Sequence, residues 1–278
     1  MLIRNYSFSW GDRTYIMGVL NTTPDSFSDG GEFNTVEKAV VQARSLRDAG
    51  ADILDIGGQS TRPKAAAVSL PEELQRVIPV IEAVRREMDL PISVDTTRST
   101  VAEAAISAGA DMINDISGAT YDSAMLSTVA KLGVPIILMH SRGTPQTMQQ
   151  LTDYQDLIGE LMTFLQERIE VAVTAGVQRD LIAIDPGIGF AKTYAQNIEI
   201  LQHLSTFQAL NCPLLVGVSR KSFIGHILDQ PNPKQRVWGT AAACCAAIAQ
   251  GADILRVHDI REMHDVCRVA DAIWRSRL

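Results

Sequence analysis

The apolar run Tyr15-Ile16-Met17-Gly18-Val19-Leu20 ends abruptly in the polar stretch Asn21-Thr22-Thr23-Pro24-Asp25-Ser26-Phe27-Ser28-Asp29-Gly30-Gly31. The run has the length of a buried strand, and the glycine and proline of the polar stretch are typical of a loop. A segment with helical periodicity follows from about Thr35 to Ala49. This order of strand, loop and helix is typical of a parallel sheet that carries its functional groups at the carboxyl ends of its strands.

The same order recurs to the end of the chain. Helical patterns separate eight predicted strands, which are Tyr15–Leu20, Ile53–Ile56, Ile92–Val94, Met112–Ile113, Ile136–Met139, Leu181–Ile184, Leu214–Val218 and Ile254–Val257. The joins from helix to strand are short, whereas several joins from strand to helix are long, so the long loops gather on one face. We therefore predict an α/β fold, a single (β/α)8 TIM barrel over residues 1–278. Weak alternation from Met1 to Thr14 predicts a short N-terminal hairpin that covers one end.

Length and composition agree with one barrel domain, because 278 residues is close to the ~250 residues that such barrels need. No apolar stretch approaches the ~20 residues that cross a bilayer, and the N-terminus lacks the pattern of a secretory signal. We therefore expect a cytoplasmic protein with no membrane partner. The net charge of −7 argues against nucleic acid as a general partner. The four cysteines form no zinc pattern and are expected to be reduced.

Polar side chains stand just past every predicted strand. They are Asn21, Asp55, Asp95, Asn114 with Asp115, His140, Asp185, Ser219 with Arg220 and Lys221, and Arg256 with His258. Any one of them could be an ordinary turn or cap residue. Together, on the face that carries the long loops, they predict a binding site, because barrel proteins build their sites at that face.

Three of these residues suit a flat ligand. Asp95, Asn114 and Asp185 end the third, fourth and sixth strands and could converge on the barrel axis. Two carboxylates and an amide match the N–H and NH₂ edge of a pterin or a guanine-like ring. Helix capping is one alternative at each position, and a metal site is another, although no histidine lies beside them at ligand spacing.

Further side chains could complete a site for the ring. Lys221 leaves a strand end near the predicted ring site and could donate to a ring nitrogen or carbonyl. Phe27 and Phe190 offer aromatic walls, although loop packing alone would also explain each of them.

A second set of residues suits a phosphate or diphosphate, namely Asn21, Thr61, Arg62, Arg256 and His258. Arg256 and His258 occupy alternate positions of one strand, so their side chains point the same way. Two guanidiniums, a histidine and a hydroxyl fit an oxyanion, with surface ion pairing as the alternative for each arginine. Mg²⁺ would fit with Asn21 as its ligand, because this ion often takes most of its shell from phosphate oxygens and water.

The chain resembles the dihydropteroate synthase family in seven motifs that follow the family's order from the first strand to the last. They are Asn21–Gly31, Gly57-Gly-Gln-Ser-Thr-Arg-Pro63, Ser93-Val-Asp-Thr96, Ile113-Asn-Asp-Ile116, Asp185-Pro-Gly-Ile-Gly-Phe190, Val218-Ser-Arg-Lys-Ser-Phe223 and Arg256-Val-His-Asp259. The chain departs from the family pattern at Gln59, Ser141 and Ala191, where Glu, Met and Gly are usual.

The resemblance implies a folate-pathway transferase that joins (7,8-dihydropterin-6-yl)methyl diphosphate to 4-aminobenzoate and forms dihydropteroate and diphosphate. It implies Mg²⁺ as cofactor on Asn21 and a homodimer. The implied pterin-binding residues are Asp95, Asn114, Met139, Asp185, Phe190 and Lys221. The implied diphosphate-binding residues are Asn21, Thr61, Arg62, Arg256 and His258. The implied 4-aminobenzoate site, where sulfonamides compete, comprises Phe27, Thr61, Pro63, Phe190, Ser219 and Lys221. The implied catalytic groups are Arg62, Lys221, Arg256 and His258.

Two other functions fit part of the pattern. A methyltransferase domain that passes a methyl group from methyltetrahydrofolate to a corrinoid would share Asp95, Asn114 and Asp185 but would not need Arg256 and His258. A non-catalytic pterin-binding barrel would be expected to lack Arg256, His258 or Lys221, and all three are present.

Overall fold

The computed structural model describes residues 1–22, 32–60 and 68–275. Two short antiparallel strands, β1 (Leu2–Ile3) and β2 (Tyr6–Ser7), form the predicted N-terminal hairpin. The eight strands of the parallel sheet follow, and they are β3 (Tyr15–Asn21), β4 (Ile53–Gly57), β5 (Ile92–Asp95), β6 (Met112–Asp115), β7 (Ile136–Met139), β8 (Ile182–Asp185), β9 (Leu215–Val216) and β10 (Ile254–Val257).

The sheet order β8-β7-β6-β5-β4-β3-β10-β9 runs almost once around a barrel. A single parallel bridge between Ile184 and Leu214 joins β8 to the chain just before β9. There the amide of Ile184 donates to the carbonyl of Pro213 at 2.9 Å. The predicted (β/α)8 barrel is therefore confirmed, with its fewest hydrogen bonds between β8 and β9.

Strand β9 is shorter than the predicted Leu214–Val218. The chain leaves the ladder after Val216 and turns, and the amide of Lys221 donates to the carbonyl of Val218 at 3.2 Å. Arg220 adopts a φ of +60° in this turn. A left-handed residue cannot continue a strand. The apolar run therefore ends in this turn, beyond the last residue of the strand.

The helices that surround the barrel are α1 (Glu32–Asp48), α2 (Leu70–Glu87), α3 (Ser99–Ser107), α4 (Met125–Leu132), α5 (Leu157–Thr174), α6 (Tyr194–Gln202), α7 (Ser222–Ile227), α8 (Val237–Ala249) and α9 (Ile260–Trp274). Helix α2 shows how sequence determines them. Ser69 caps it by accepting from the amide of Glu72, and Val77, Ile81 and Val84 bury its inner face. Among the described helices, none has the length and apolar content that a membrane span requires.

The strands bury alternate side chains on opposite faces, as a period of two requires. One set packs between the sheet and the helices. The other set forms an apolar layer inside the barrel that the hairpin side chains cover from the amino-terminal end, and it consists of Met17, Ile53, Met112, Ile137, Ala183, Leu215 and Ile254. This layer closes one end of the barrel, and the next interior positions therefore face the end that carries the long loops.

Candidate active site

Polar side chains occupy the interior positions two residues beyond the apolar layer. Asp55, Asn114, Asp185 and Arg256 follow Ile53, Met112, Ala183 and Ile254 in this way. Asp95 joins them from β5, where it is in register with Asn114. The structure therefore brings Asp95 and Asn114 of the predicted ring site together with Arg256, which was predicted from a different set.

Arg256 is the centre of this layer. Its Nε donates to Oδ2 of Asp55 at 2.6 Å and its Nη2 donates to Oδ2 of Asp95 at 2.9 Å. The Nδ2 of Asn114 also donates to Oδ2 of Asp55, at 3.2 Å. Asp55 is fully buried, and its Oδ1 has no hydrogen-bond partner among the described residues. A buried carboxylate needs such partners, so Asp55 orients both Arg256 and Asn114.

Asp95 is poised between its two protonation states. Burial raises the pKa of Asp95 to about 7, the attraction of Arg256 opposes that rise, and the nearby charge of Asp55 adds to it. The carboxyl group can therefore accept or donate a hydrogen bond near neutral pH.

Asp185 is held by the loop that follows it. Its Oδ1 accepts from the amide of Gly187 at 2.7 Å, and burial raises the pKa of Asp185 to about 6 despite that bond and the charge of Lys221. Gly187 has a φ of +73°, and a Cβ there would lie 1.9 Å from the carbonyl oxygen of His140. The close approach admits only glycine at this position.

Lys221 and two apolar side chains line the same region. The Nζ of Lys221 lies 4.3 Å from the centroid of the Phe190 ring, and burial lowers the pKa of Lys221 to about 8. Phe190 packs in a buried cluster with Met139, Met148 and Ala191. Ala191, which departs from the family's glycine, adopts a φ of +50°. A flat ring could contact this apolar cluster while its edge meets the polar groups.

His258 is positioned by Ser219. The Oγ of Ser219 lies 3.0 Å from Nδ1 of His258 and accepts from the His258 amide at 3.2 Å. Burial lowers the pKa of His258 to about 3, and the charges of Arg256 and Arg220 lower it further, so the imidazole is neutral at pH 7. Ser219, which was predicted at the 4-aminobenzoate site, is buried and contacts His258. Arg220 points elsewhere and forms a two-bond ion pair with Asp259.

Four predicted site residues lie outside the described residues, namely Phe27, Thr61, Arg62 and Pro63. Gly58 and Val68, which lie close to the undescribed stretch 61–67, are held by hydrogen bonds from arginine side chains. Arg76 donates to the carbonyl of Gly58 at 2.9 Å, and Arg98 donates to the carbonyl of Val68 at 2.6 Å. Arg98 also pairs with the buried carboxylate of Glu73 at 2.6 Å.

Asn21 is the predicted magnesium ligand. It ends β3, is half-buried, and makes no side-chain hydrogen bond to the rest of the described chain. No group of three His, Cys, Asp or Glu side chains in the described ranges could hold a metal ion. One free amide oxygen fits an ion such as Mg²⁺ that takes its other ligands from water and phosphate.

Sequence reasoning missed the roles of Asp55 and Lys192, and it named Asp115 together with Asn114 although the two side chains have different roles. Asp55 was noted at a strand end without a role, and its strand parity with Ile53 could have placed it in the interior. Asp115 has the opposite parity to Asn114, and its Oδ1 accepts from the amide and hydroxyl of Ser117, so it stabilises a turn. Lys192 is buried against His140, and no sequence signal indicated that contact.

Comparison with known proteins identifies the family. The family model described as pterin binding enzyme matches residues 17–258. Dihydropteroate synthase from Synechocystis sp. is 62% identical over 96% of this chain and 93% of its own length. Two solved structures of the same enzyme are also similar. One is from Xanthomonas albilineans with 4-aminobenzoic acid, with a TM-score of 0.89 and 46% identity over 95% of this chain and 94% of that chain. The other is from Yersinia pestis with a sulfonamide drug. It has a TM-score of 0.93 and 43% identity over 100% of this chain and 99% of that chain.

These matches cover the barrel from its first strand to its last, and they agree with the motifs that the sequence analysis found. The chain belongs to the dihydropteroate synthase family of pterin-binding enzymes.

Proposed function

We propose that this protein condenses (7,8-dihydropterin-6-yl)methyl diphosphate with 4-aminobenzoate to give dihydropteroate and diphosphate. One observation carries the proposal: Arg256 contacts Asp55 and Asp95 in the barrel interior, with Asn114 bonded to the same Asp55 oxygen. This cluster combines acceptors for a ring edge with a guanidinium for an anion. The family match over residues 17–258 also supports one catalytic domain over residues 1–278.

The pterin ring binds at the interior polar layer. Asp185 and Asp95 accept hydrogen bonds from the ring's N–H and NH₂ groups, and Asn114 offers an amide. Lys221 donates to a ring nitrogen or carbonyl. Met139 and Phe190, from the buried apolar cluster, flank the ring.

The reaction breaks the bond between the pterin methylene carbon and the diphosphate oxygen, and the electron pair leaves with diphosphate. The amine nitrogen of 4-aminobenzoate forms the new bond and then releases a proton to solvent. Positive charge that develops on the pterin is stabilised by Asp95 and Asp185, and the departing anion is stabilised by Arg62, Arg256 and His258. A neutral aromatic amine needs no strong base, which agrees with a site built from charged and positioning groups.

His258 acts as a neutral group in this scheme. With its pKa lowered to about 3, the imidazole can donate one N–H to a diphosphate oxygen without carrying charge. Ser219 restricts its orientation through the 3.0 Å contact to Nδ1. The net positive charge at the diphosphate therefore comes from the arginines, and Mg²⁺ would add to it when bound.

Mg²⁺ on Asn21 would neutralise part of the diphosphate charge when bound. The 4-aminobenzoate site takes Phe190, Ser219 and Lys221 from the described chain, and Phe27, Thr61 and Pro63 from the segments outside it. Sulfonamides would compete for this site, a proposal supported by the Yersinia pestis enzyme, whose structure was solved in complex with a sulfonamide drug.

We also propose a homodimer in the cytoplasm. Large apolar side chains are exposed on α8 and α9, with Trp238 at 76% and both Val269 and Ile273 at 62% exposure. A second copy could cover such a face. The four cysteines are all free thiols, which suits a reducing compartment. Sedimentation of Ile273→Glu tests the dimer, and an unchanged sedimentation coefficient would exclude this face.

The test of activity uses the purified chain with the pterin diphosphate, 4-aminobenzoate and Mg²⁺, and follows dihydropteroate by chromatography. Lys221→Met should abolish most product formation because it removes the cation beside Phe190. Lys131→Met makes the same change at an exposed surface ion pair with Glu103 and should leave turnover unchanged. Absence of dihydropteroate with the folded wild type would refute the proposal.

A further inference from the structure

Lys192 is a buried cation outside the predicted site. Its side chain is 2% exposed. Its Nζ donates to the carbonyl oxygen of Phe190 at 2.9 Å and lies 3.1 Å from Nδ1 of His140. No carboxylate of the described residues forms an ion pair with it. A buried lysine without such a pair is costly, so its location beside the site requires an explanation.

His140 is the acceptor in this contact. It is 2% exposed, and burial lowers the pKa of His140 to about 2, with the charges of Lys192 and Arg142 contributing. A neutral imidazole can present Nδ1 as an acceptor, so Lys192 donates to it. The amide of His140 also donates to the carbonyl of Asp185 at 2.9 Å. His140 therefore connects Lys192 to the start of the loop that carries Asp185.

Both ends of that loop are held through this pair. Asp185 begins it and binds the amide of Gly187, and Phe190 near its other end accepts from Lys192. Gly187 packs against the His140 carbonyl so closely that a Cβ would not fit. The Asp185–Phe190 loop consequently rests on His140 and Lys192 along its length.

The charge of Lys192 also acts on Asp185. Lys221, Lys192 and Arg256 all favour the ionised form of this buried carboxylate. In return, burial lowers the pKa of Lys192 to about 7, Asp185 opposes that decrease, and Lys221 and Arg142 add to it. Asp185 is thus influenced by three cations, of which Lys192 contacts Phe190 and His140.

We propose that Lys192 is a positioning residue for pterin binding, which fixes the Asp185–Phe190 loop through its hydrogen bonds to Phe190 and His140 and adds a positive charge to the surroundings of Asp185. This inference rests on the proposed contact between Asp185 and the pterin. Methionine of nearly the same length would fill the space without the cost of burying a polar group, so the amino group itself provides the function.

The experiment compares Lys192→Met with wild type, using 6-hydroxymethylpterin as the probe and its fluorescence to measure Kd from pH 5 to pH 9. The loss of a charge and two hydrogen bonds should raise Kd at pH 7 about 10- to 100-fold. Because the pKa of Asp185 rises without Lys192, the acid limb of the binding curve should move to higher pH by about 1 unit. The KM for 4-aminobenzoate should rise less than the Kd of the pterin, since that ligand shares Phe190 with the loop but does not contact Asp185.

Two further variants separate charge from packing. Lys192→Arg retains the charge and should keep the acid limb where the wild type has it. His140→Leu removes the acceptor and should raise Kd about tenfold without Lys192 being changed, which tests the loop contact even if Lys192→Met does not fold. An unmoved acid limb in a folded Lys192→Met protein, or unchanged pterin affinity in His140→Leu, would overturn the proposal.

Asp185→Asn distinguishes this proposal from the proposed function. If Asp185→Asn weakens the binding of 6-hydroxymethylpterin and Lys192→Met does not, only the role of Lys192 is wrong. If Asp185→Asn leaves affinity unchanged, the pterin assignment of Asp185 is wrong, and the role of Lys192 is refuted with it. Lys131→Met is the control for removing a lysine charge, and it should bind the probe as wild type does.

Discussion

Asp55→Asn would test whether the fully buried carboxylate controls Arg256. Asparagine has nearly the same shape, and its amide oxygen could still accept from Nε of Arg256 and Nδ2 of Asn114, which now meet Asp55 Oδ2 at 2.6 and 3.2 Å. The amide NH₂ would take the place of Oδ1, which has no partner among the described residues. The substitution therefore removes charge while it keeps both hydrogen bonds.

The magnitude follows from the type of bond that is lost. A bond between two charged groups is roughly twice as strong as a neutral one, so the Arg256 contact should weaken by about 1–2 kcal/mol. Arg256 keeps its second carboxylate, Asp95, at 2.9 Å, and the loss should stay below the ~3–5 kcal/mol of a fully broken buried pair. We expect Tm to fall by about 2–8 °C, and kcat/KM for the pterin diphosphate to fall about tenfold as Arg256 loses its orientation.

The assay is diphosphate release at saturating 4-aminobenzoate, with thermal unfolding of the same samples. Asp111→Asn is the matched control, because Asp111 accepts from Arg85 and from the amide of Ile92 at 2.8 Å at the opposite end of the barrel. It should lower Tm by a similar amount and leave kcat/KM within about twofold. Equal kcat/KM values for Asp55→Asn and Asp111→Asn would refute the role of Asp55.

Three other substitutions have definite expected outcomes. Burial raises the pKa of Asp115 to about 6, so its carboxyl contributes stability below pH ~4 that is lost as pH rises through ~6. In urea unfolding, the free energy of unfolding of Asp115→Asn should therefore rise by about 3 kcal/mol relative to that of wild type between pH 4 and pH 7. A difference between the two proteins that does not change with pH would contradict this. Ser219→Ala should lower kcat about fivefold without adding a new limb to the pH–rate profile, since neutral His258 loses an orienting contact worth about 1 kcal/mol. Gly187→Ala, measured by pterin binding and Tm, should lose more than about 3 kcal/mol of stability because its methyl group would meet the His140 carbonyl; wild-type binding would show that the loop can move away.

The structure changes one expectation about Arg256. Its side chain contacts Asp95 at 2.9 Å and opposes the rise that burial causes in the pKa of that carboxyl, so Arg256 belongs to the pterin side of the site as well as to the diphosphate side. Arg256→Ala should therefore weaken pterin binding in addition to turnover. Sequence alone placed the two sets apart, because it does not show which side chains cross the barrel axis.

Most of the fold was predictable because the barrel strands are short apolar runs between helices of clear periodicity. The interior position of Asp95, Asn114 and Arg256 also follows from a strand period of two. The end of β9 could not be predicted from the sequence. The run remains apolar through Val218, but the chain leaves the sheet earlier and turns at Arg220, which has a left-handed conformation. Contacts such as that between Lys192 and His140 join residues far apart in the chain, and no local pattern encodes them.

The junction between β8 and β9 has a further consequence for ligand binding. Within the described chain, the Ile184–Leu214 bridge is the one ladder contact between these strands. Asp185 ends β8 on one side of the junction, and Lys221 follows β9 on the other. A pterin that contacts both residues would span the junction and act as a noncovalent cross-link. Local opening there requires less free energy than global unfolding, so amide hydrogen exchange at Ile184 should slow markedly when the ring is bound. The substrate would thus supply part of the closure that the backbone ladder lacks.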